Sequence, residues 1–367
     1  MTLTWPQALA WRMRQQLLDP VGTEPVAAVV RRLGAVVAQN ELRADLAVGL
    51  RSSVAAPGSV AGALAAGDLV KVYAFRGATH LMVPEDAGVY LALRTASRMW
   101  ELPSWRRYYG LEPSDWPDLR EVVREALADG PLTRPELAAA VTARSRFAHL
   151  GPAFAGAADT LLKPLMWQGD MSFGPPKDGH ATFQRLDLNP RWAGIPELED
   201  AGPRAVIAYF STYGPATPEH VHYWLGEGLG AGRRRITSWI GALQDRLTRV
   251  DVDGYPLSVL EEDRPDLLAT TGSPAVRLLP GLDPWVLGPG TADPHVVPPG
   301  RRALVSRGAN VVVSSGVVSG TWTLKPDRVE TTWFAEAGPP PDDALAAQVL
   351  RVSAVVGRDL RSEVRTD

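Results

Sequence analysis

The chain has 367 residues, 45% of them hydrophobic and 22% charged, with a net charge of −3 and no cysteine. This composition is globular and long enough for several modest domains. The missing cysteines exclude disulfides, thiolate zinc sites and iron–sulfur clusters, and fit a reducing cytoplasm. The charge balance shows no global basic excess of the kind common among nucleic-acid binders. Local basic clusters remain at Arg31-Arg32, Arg106-Arg107, Arg233-Arg234-Arg235 and Arg301-Arg302. No basic region leading into an apolar stretch opens the chain, and no run approaches the ~20 apolar residues of a membrane span.

In chain order, apolar periodicity predicts helices at 5–19, 25–38, 42–52 and 58–66, followed by strands at 69–75 and 79–83 joined by Arg76-Gly77-Ala78. Pro84-Glu85-Asp86 opens another helix. Helices followed by a hairpin form the pattern of a winged helix-turn-helix. The pattern returns with helices at 117–128, from Thr133 onward and at 154–168, then strands at 170–173 and 181–186 around a wing-like loop, 174–180. A third pass has helices at 203–212, from Thr217 and at 233–245, then strands at 247–252 and 256–260 around Asp253-Gly254. Thr133 and Thr217 are cap residues with Pro early in the helix. The units lie roughly 85 residues apart, which reads as a tandem array rather than a short-period solenoid. The C-terminal part is β-rich, with strands at 276–279, 303–307, 310–314, 317–323 and 328–334, a Pro/Gly-rich loop over 280–300 and a closing helix at 341–356. The expected fold class is α+β: three tandem winged helix-turn-helix domains (1–114, 115–198, 199–264) and a C-terminal β-rich domain (265–367).

Gln39 stands out inside the apolar stretch 34–51. A neutral amide carries two donors and an acceptor, so it can position water or a sugar oxygen without titrating. Glu41 and Asp45, four apart, share a face if the helix continues; either carboxylate is able to polarise a water. Each residue also has a plain structural reading: Gln39 as a buried amide satisfying backbone groups, the acids as solvated surface, and His80 as a packed core histidine. His220 and His222 read as surface or core residues rather than metal ligands, because no third ligand is evident. The 285–302 segment, with Trp285, His295, Arg301 and Arg302, is either a groove-entering hairpin or a disordered loop. The tryptophans at 5, 11, 100, 105, 192, 224 and 239 read mainly as core.

The segments from Val37-Ala38-Gln39-Asn40 to Arg51, Phe75 to Leu81, Tyr213 to Pro218, Leu278 to Pro284 and Gly320-Thr321-Trp322, in this order, resemble the AlkZ-like bacterial winged-helix DNA glycosylases, which include YcaQ-type members. The resemblance runs over most of the chain. It implies winged-helix domains and a β-domain arranged in a C shape around a DNA channel, and excision of alkylated bases, chiefly N7-alkylguanine. In the namesake branch it implies unhooking of interstrand cross-links made by DNA-alkylating natural products. The family motif is Gln–hydrophobic–Gln; counting back from Arg51 puts Gln39 on its second Gln and Val37 on its first.

These readings together predict a monofunctional, metal-independent DNA glycosylase without cofactor or lyase activity. It would act as a monomer on double-stranded DNA bearing alkylated purines, in repair or in self-resistance to a genotoxic natural product. It is expected to be cytoplasmic, nucleoid-associated when bound to DNA, and without membrane contact. The alternative is a non-catalytic winged-helix regulator. The expected catalytic residues are Gln39, Asn40 and Glu41. Arg43, Arg51, Arg76, His80, Arg233, Arg234, Arg301 and Arg302 are the expected DNA contacts.

Overall fold

A computed structural model describes residues 2–156 and 160–367. The fold is α+β, with three sheets among the described residues. A six-stranded sheet has the order Val36–Val37, Thr79–Met82, Val70–Tyr73, Met171–Lys177, His180–Arg185, Leu132–Thr133. The hairpins of the first two sequence units therefore join in one sheet, linked where Lys71 pairs with Phe173. A three-stranded sheet forms when Thr2–Leu3 adds in parallel to the hairpin Leu247–Val252/Tyr255–Leu260. The C-terminal sheet has five strands in chain order, Val276–Leu279, Asn310–Ser314, Val317–Leu324, Arg328–Trp333 and Arg361–Thr366, the last parallel to its neighbour.

Most expected helices occur with shifted ends, and the capping boxes at Thr133 and Thr217 are both formed. The second hairpin is longer than expected. Its strands run through most of the anticipated wing loop and leave only Asp178-Gly179, both at positive φ, as the turn. Residues 303–307, expected as a strand, fold as the helix Arg302–Ser306. The helix expected at 154–168 appears as Gly151–Ala155 and Lys163–Trp167; residues 157–159 of that prediction lie outside the described residues.

The loop over 280–300 is neither disordered nor a probing hairpin. Trp285 is buried with Val286, Val296 and Val297 in one core cluster, and the Trp285 indole donates to the Gly316 carbonyl at 3.2 Å. His295 stacks on Trp5 at 3.6 Å. The length of this loop reflects core building rather than exposure to a ligand. Trp11, Trp100, Trp224 and Trp239 are core, while Trp5, Trp105 and Trp192 are half-buried.

The run 34–51 splits in two. The second helix ends at Leu33, where Gly34 takes φ 76, and a Cβ there would run into the Tyr90 hydroxyl. The chain then goes extended, with Val36–Val37 pairing to Leu81 and His80 and the Ala38 amide donating to Thr79 at 2.8 Å. Helix Glu41–Gly49 follows. Its Ala44, Ala47 and Val48 pack with Val29, Val30, Leu33 and Leu81, while Leu46 and Leu50 pack with Val276, Leu278, Trp322, Trp333 and Leu345. A helix apolar on opposite sides must be buried on both, and this one is wedged between the N-terminal helices and the C-terminal sheet. Gly49 permits the fit: a Cβ there would lie 2.7 Å from Val355 on the helix Asp342–Val356.

Candidate active site

Gln39 does not lie in a helix. It occupies a bend between the strand Val36–Val37 and the helix Glu41–Gly49 and is exposed, which overturns its reading as a buried amide. In extended backbone, residues i and i+2 point to the same side. Burial alternates through buried Val36, half-buried Val37, buried Ala38 and exposed Gln39. Val37 and Gln39 therefore share the open side. The two amide places of the family motif face together, with Val37 occupying one.

Asn40 is the N-cap of the following helix, and its Oδ1 accepts from the Arg43 amide at 3.0 Å. Its acceptor is thus committed to a backbone donor of the first turn. Glu41 is exposed in that first turn, where a carboxylate favours the helix dipole. Burial, with help from the charge of Glu41, raises the Asp45 carboxyl above its ordinary range. Gln39 and Glu41 are open to solvent at a helix N-terminus, and the apolar remainder of the helix holds that terminus rigidly.

Arg43 is half-buried and donates to the Gly308 carbonyl at 3.2 Å, tying the motif helix to a C-terminal turn. Arg51 is a correction. Its side chain has no exposed surface and cannot reach a phosphate. The guanidinium grips Asp283 in a fork, Nη1 to Oδ2 at 2.8 Å and Nη2 to Oδ1 at 2.6 Å. It also donates to the Gln16 and Ala47 carbonyls at 3.1 and 2.7 Å. Asp283 accepts from the Trp285 amide as well, at 2.8 Å. Two of the segments carrying the family resemblance are thus halves of one buried strut.

His80 is the second correction. It is 2% exposed, and its Nδ1 lies 3.0 Å from the Ala78 carbonyl, which can only accept. The proton therefore sits on Nδ1 of a neutral ring, and burial lowers its pKa to about 4. Arg301 is the third correction, because its charge is already held by Glu336 and Asp367 at 2.8 and 2.6 Å and its guanidinium lies over Phe334. Arg302 is exposed nearby.

Arg76 is exposed at the hairpin turn, with φ 52 and its guanidinium 4.3 Å from the Tyr223 ring centre. Its amide donates to the Gly228 carbonyl at 2.6 Å, while Phe75 stacks on Trp224 at 4.2 Å. The first hairpin is thereby locked onto the third unit. Arg233 and Arg234 are exposed at the start of the helix Arg233–Ala242, and Arg233 reaches the His222 ring at 3.4 Å. His220 packs inward toward Asp293, and burial lowers its pKa to about 4. Among the described residues, no group of three or more His, Cys, Asp or Glu is placed to hold a metal ion, and no helix is long and apolar enough to cross a membrane.

Sequence reasoning missed two half-buried lysines, Lys71 on the strand Val70–Tyr73 and Lys163 at the start of the helix Lys163–Trp167. A signal was available. The chain has only four lysines among its 38 basic residues, and these are two of them.

An exposed amide at a strand-to-helix bend, beside hairpins bearing arginines, suits a protein that handles a sugar or base in DNA. The AlkZ-like family, described as DNA glycosylase AlkZ-like, matches residues 30–358. The chain is 37% identical over 365 residues to an interstrand DNA cross-link repair glycosylase of Streptomyces sahachiroi, covering 97% of this chain and 98% of that protein. Its fold superposes on the solved structure of the Streptomyces sahachiroi DNA glycosylase AlkZ with a TM-score of 0.93 and 35% identity, covering 100% of both chains. The protein belongs to the AlkZ-like DNA glycosylase family.

Proposed function

We propose that this glycosylase hydrolyses the N-glycosidic bond of bulky N7-alkylguanine lesions in double-stranded DNA, and unhooks interstrand cross-links built from them. This activity would serve repair or self-resistance to a DNA-alkylating natural product. The observation that carries the reading is the exposed Gln39, on the second amide place of the family motif and fixed at the bend before a helix buried on both sides. The cross-link reading is further supported by the name of the Streptomyces sahachiroi relative.

An N7-alkylated guanine already carries positive charge, so its departure needs little acid catalysis. The C1′–N9 bond breaks, its electron pair neutralises the leaving base, water adds to C1′ and a proton is released to solvent. Gln39 would accept a hydrogen bond from that water and turn its carbonyl dipole toward the cationic sugar, which is positioning and electrostatic preorganisation rather than proton transfer. Glu41, exposed two residues on, would add a negative field on the sugar. Neither step uses a lysine nucleophile or a metal, so the enzyme is read as monofunctional and metal-independent. Tandem winged-helix units around an open channel, acting as a monomer, would accommodate an adduct too large for a closed pocket.

The test is a duplex with a single N7-alkylguanine, incubated with the protein and assayed for released base and for strand breaks before and after alkali. Base release with breaks only after alkali is the expected result. Breaks without alkali would overturn the monofunctional reading, and absence of release across adduct sizes would overturn the substrate.

A further inference from the structure

The four lysines divide cleanly. Lys177 pairs with Glu136 at 2.6 Å and Lys325 with Glu330 at 3.5 Å, as surface lysines commonly do. Among the described residues, Lys71 and Lys163 have no carboxylate within 4.0 Å. Each instead lies over an aromatic ring, Lys71 Nζ 5.5 Å from the centre of Phe173 and Lys163 Nζ 4.9 Å from that of Tyr73. The two rings touch edge to face at 5.4 Å. Two ammonium groups and two rings thus form one cluster.

Its position follows from the register. Lys71 and Tyr73 face the same way on their strand; Lys71 is paired across to Leu81, and Leu81 to Val36. Lys71 therefore lies on the sheet face of Val36, opposite the side of Val37, and Glu41, which opens the helix after the motif, acts on Lys71 electrostatically. At the other end, Gly77 brings the hairpin turn against Lys163: it has φ 69, and a Cβ there would lie 3.4 Å from Nζ. Arg76 on Tyr223 is the next residue along.

A half-buried ammonium without an ion-pair partner among the described residues is a cost to the free protein. Burial lowers the pKa of both lysines, and Arg94 pushes Lys163 further down. An arriving anion would remove that cost. A compact lysine charge suits a phosphate oxygen, and rings beside it suit the sugars and bases between phosphates.

We propose that Lys71 and Lys163, with Tyr73 and Phe173 between them, seat backbone phosphates of the bound DNA. The inference rests on DNA as the substrate but not on the identity of the lesion. Both lysines are positioning residues.

The test is the salt dependence of binding to a plain duplex, which needs no excision. Each phosphate contact on B-DNA contributes about 0.9 to the slope of log K against log salt. Lys71→Met and Lys163→Met should each lower the slope by about 0.9, and the pair by about 1.8, whereas Lys325→Met should leave it unchanged. In parallel, the unmodified protein is acylated with a lysine reagent with and without duplex, then mapped by mass spectrometry. Protection of Lys71 and Lys163 but not Lys325 is expected, and this arm holds even if a methionine variant misfolds. An unchanged slope in folded variants, or equal labelling of all four lysines with and without DNA, would overturn the proposal. Failure of base release with these slopes intact would instead overturn the lesion assignment alone.

Discussion

Removing Asp283 should damage the fold rather than DNA affinity. Asp283→Ala leaves the Arg51 guanidinium buried with no counter-charge, since neither side chain has exposed surface. The two remaining carbonyl partners, on Gln16 and Ala47, supply dipoles but no charge. Breaking one half of a buried ion pair typically costs about 3–5 kcal/mol, a large part of the ~5–15 kcal/mol that holds a typical domain. Replacing both halves by apolar residues, as in Arg51→Met with Asp283→Leu, removes the orphaned charge and should recover most of the loss. Urea unfolding of the wild type, Arg51→Met, Asp283→Leu and the double variant closes the cycle, with an expected coupling of at least ~2 kcal/mol. The reasoning fails if Asp283→Ala costs under ~1 kcal/mol. It also fails if Arg51→Met keeps full stability yet lowers the salt slope of DNA binding, the signature of a phosphate contact.

Three further predictions concern the motif and its strand. Asn40→Ala should cost about 1 kcal/mol through the lost cap, whereas Asn40→Asp keeps it; thermal denaturation measures both, and equal losses would contradict the cap reading. Val37→Gln places a second amide on the open side beside Gln39, so its single-turnover excision rate should equal or exceed wild type; a drop in a folded variant would mean that Val37 packs against the substrate. The buried His80 is neutral when folded, with its pKa lowered from 6.5 to about 4. Above pH 6.5 both states are neutral; as pH falls from 6.5 toward 4 the unfolded chain alone gains a proton, and stability declines by roughly 3 kcal/mol. His80→Phe should flatten that part of the stability–pH curve, and an unaltered slope would refute the buried neutral ring.

What the sequence revealed depended on whether its causes were local. The hairpin at 247–260 was legible because Asp253-Gly254, both at positive φ, demand a tight turn between alternating strands. The caps at Thr133 and Thr217 were legible for the same reason. Residues 34–38, just before Gln39, were misplaced in a helix because the pairing that makes this segment extended comes from residues 79–81, more than forty positions later. Residues 303–307 read as a strand because a short apolar run carries no usable period. The fate of Arg51 was invisible because its partner lies 232 positions away. The exposed Gln39 itself was found by residue type, since an uncharged amide in an apolar stretch is conspicuous wherever the backbone puts it.

The most direct test of the central claim compares wild type with Gln39→Ala on a duplex carrying one N7-alkylguanine, under single-turnover conditions with binding saturated. Loss of one preorganised group of this kind typically costs about 10²–10³ in rate. The expected result is a fall of about that size, with melting temperature and plain-duplex affinity unchanged, because Gln39 is exposed and its side chain has no hydrogen-bond partner among the described residues. Excision by the variant within a few-fold of wild type would show that Gln39 is not the catalytic group and that the chemistry is carried elsewhere on this surface.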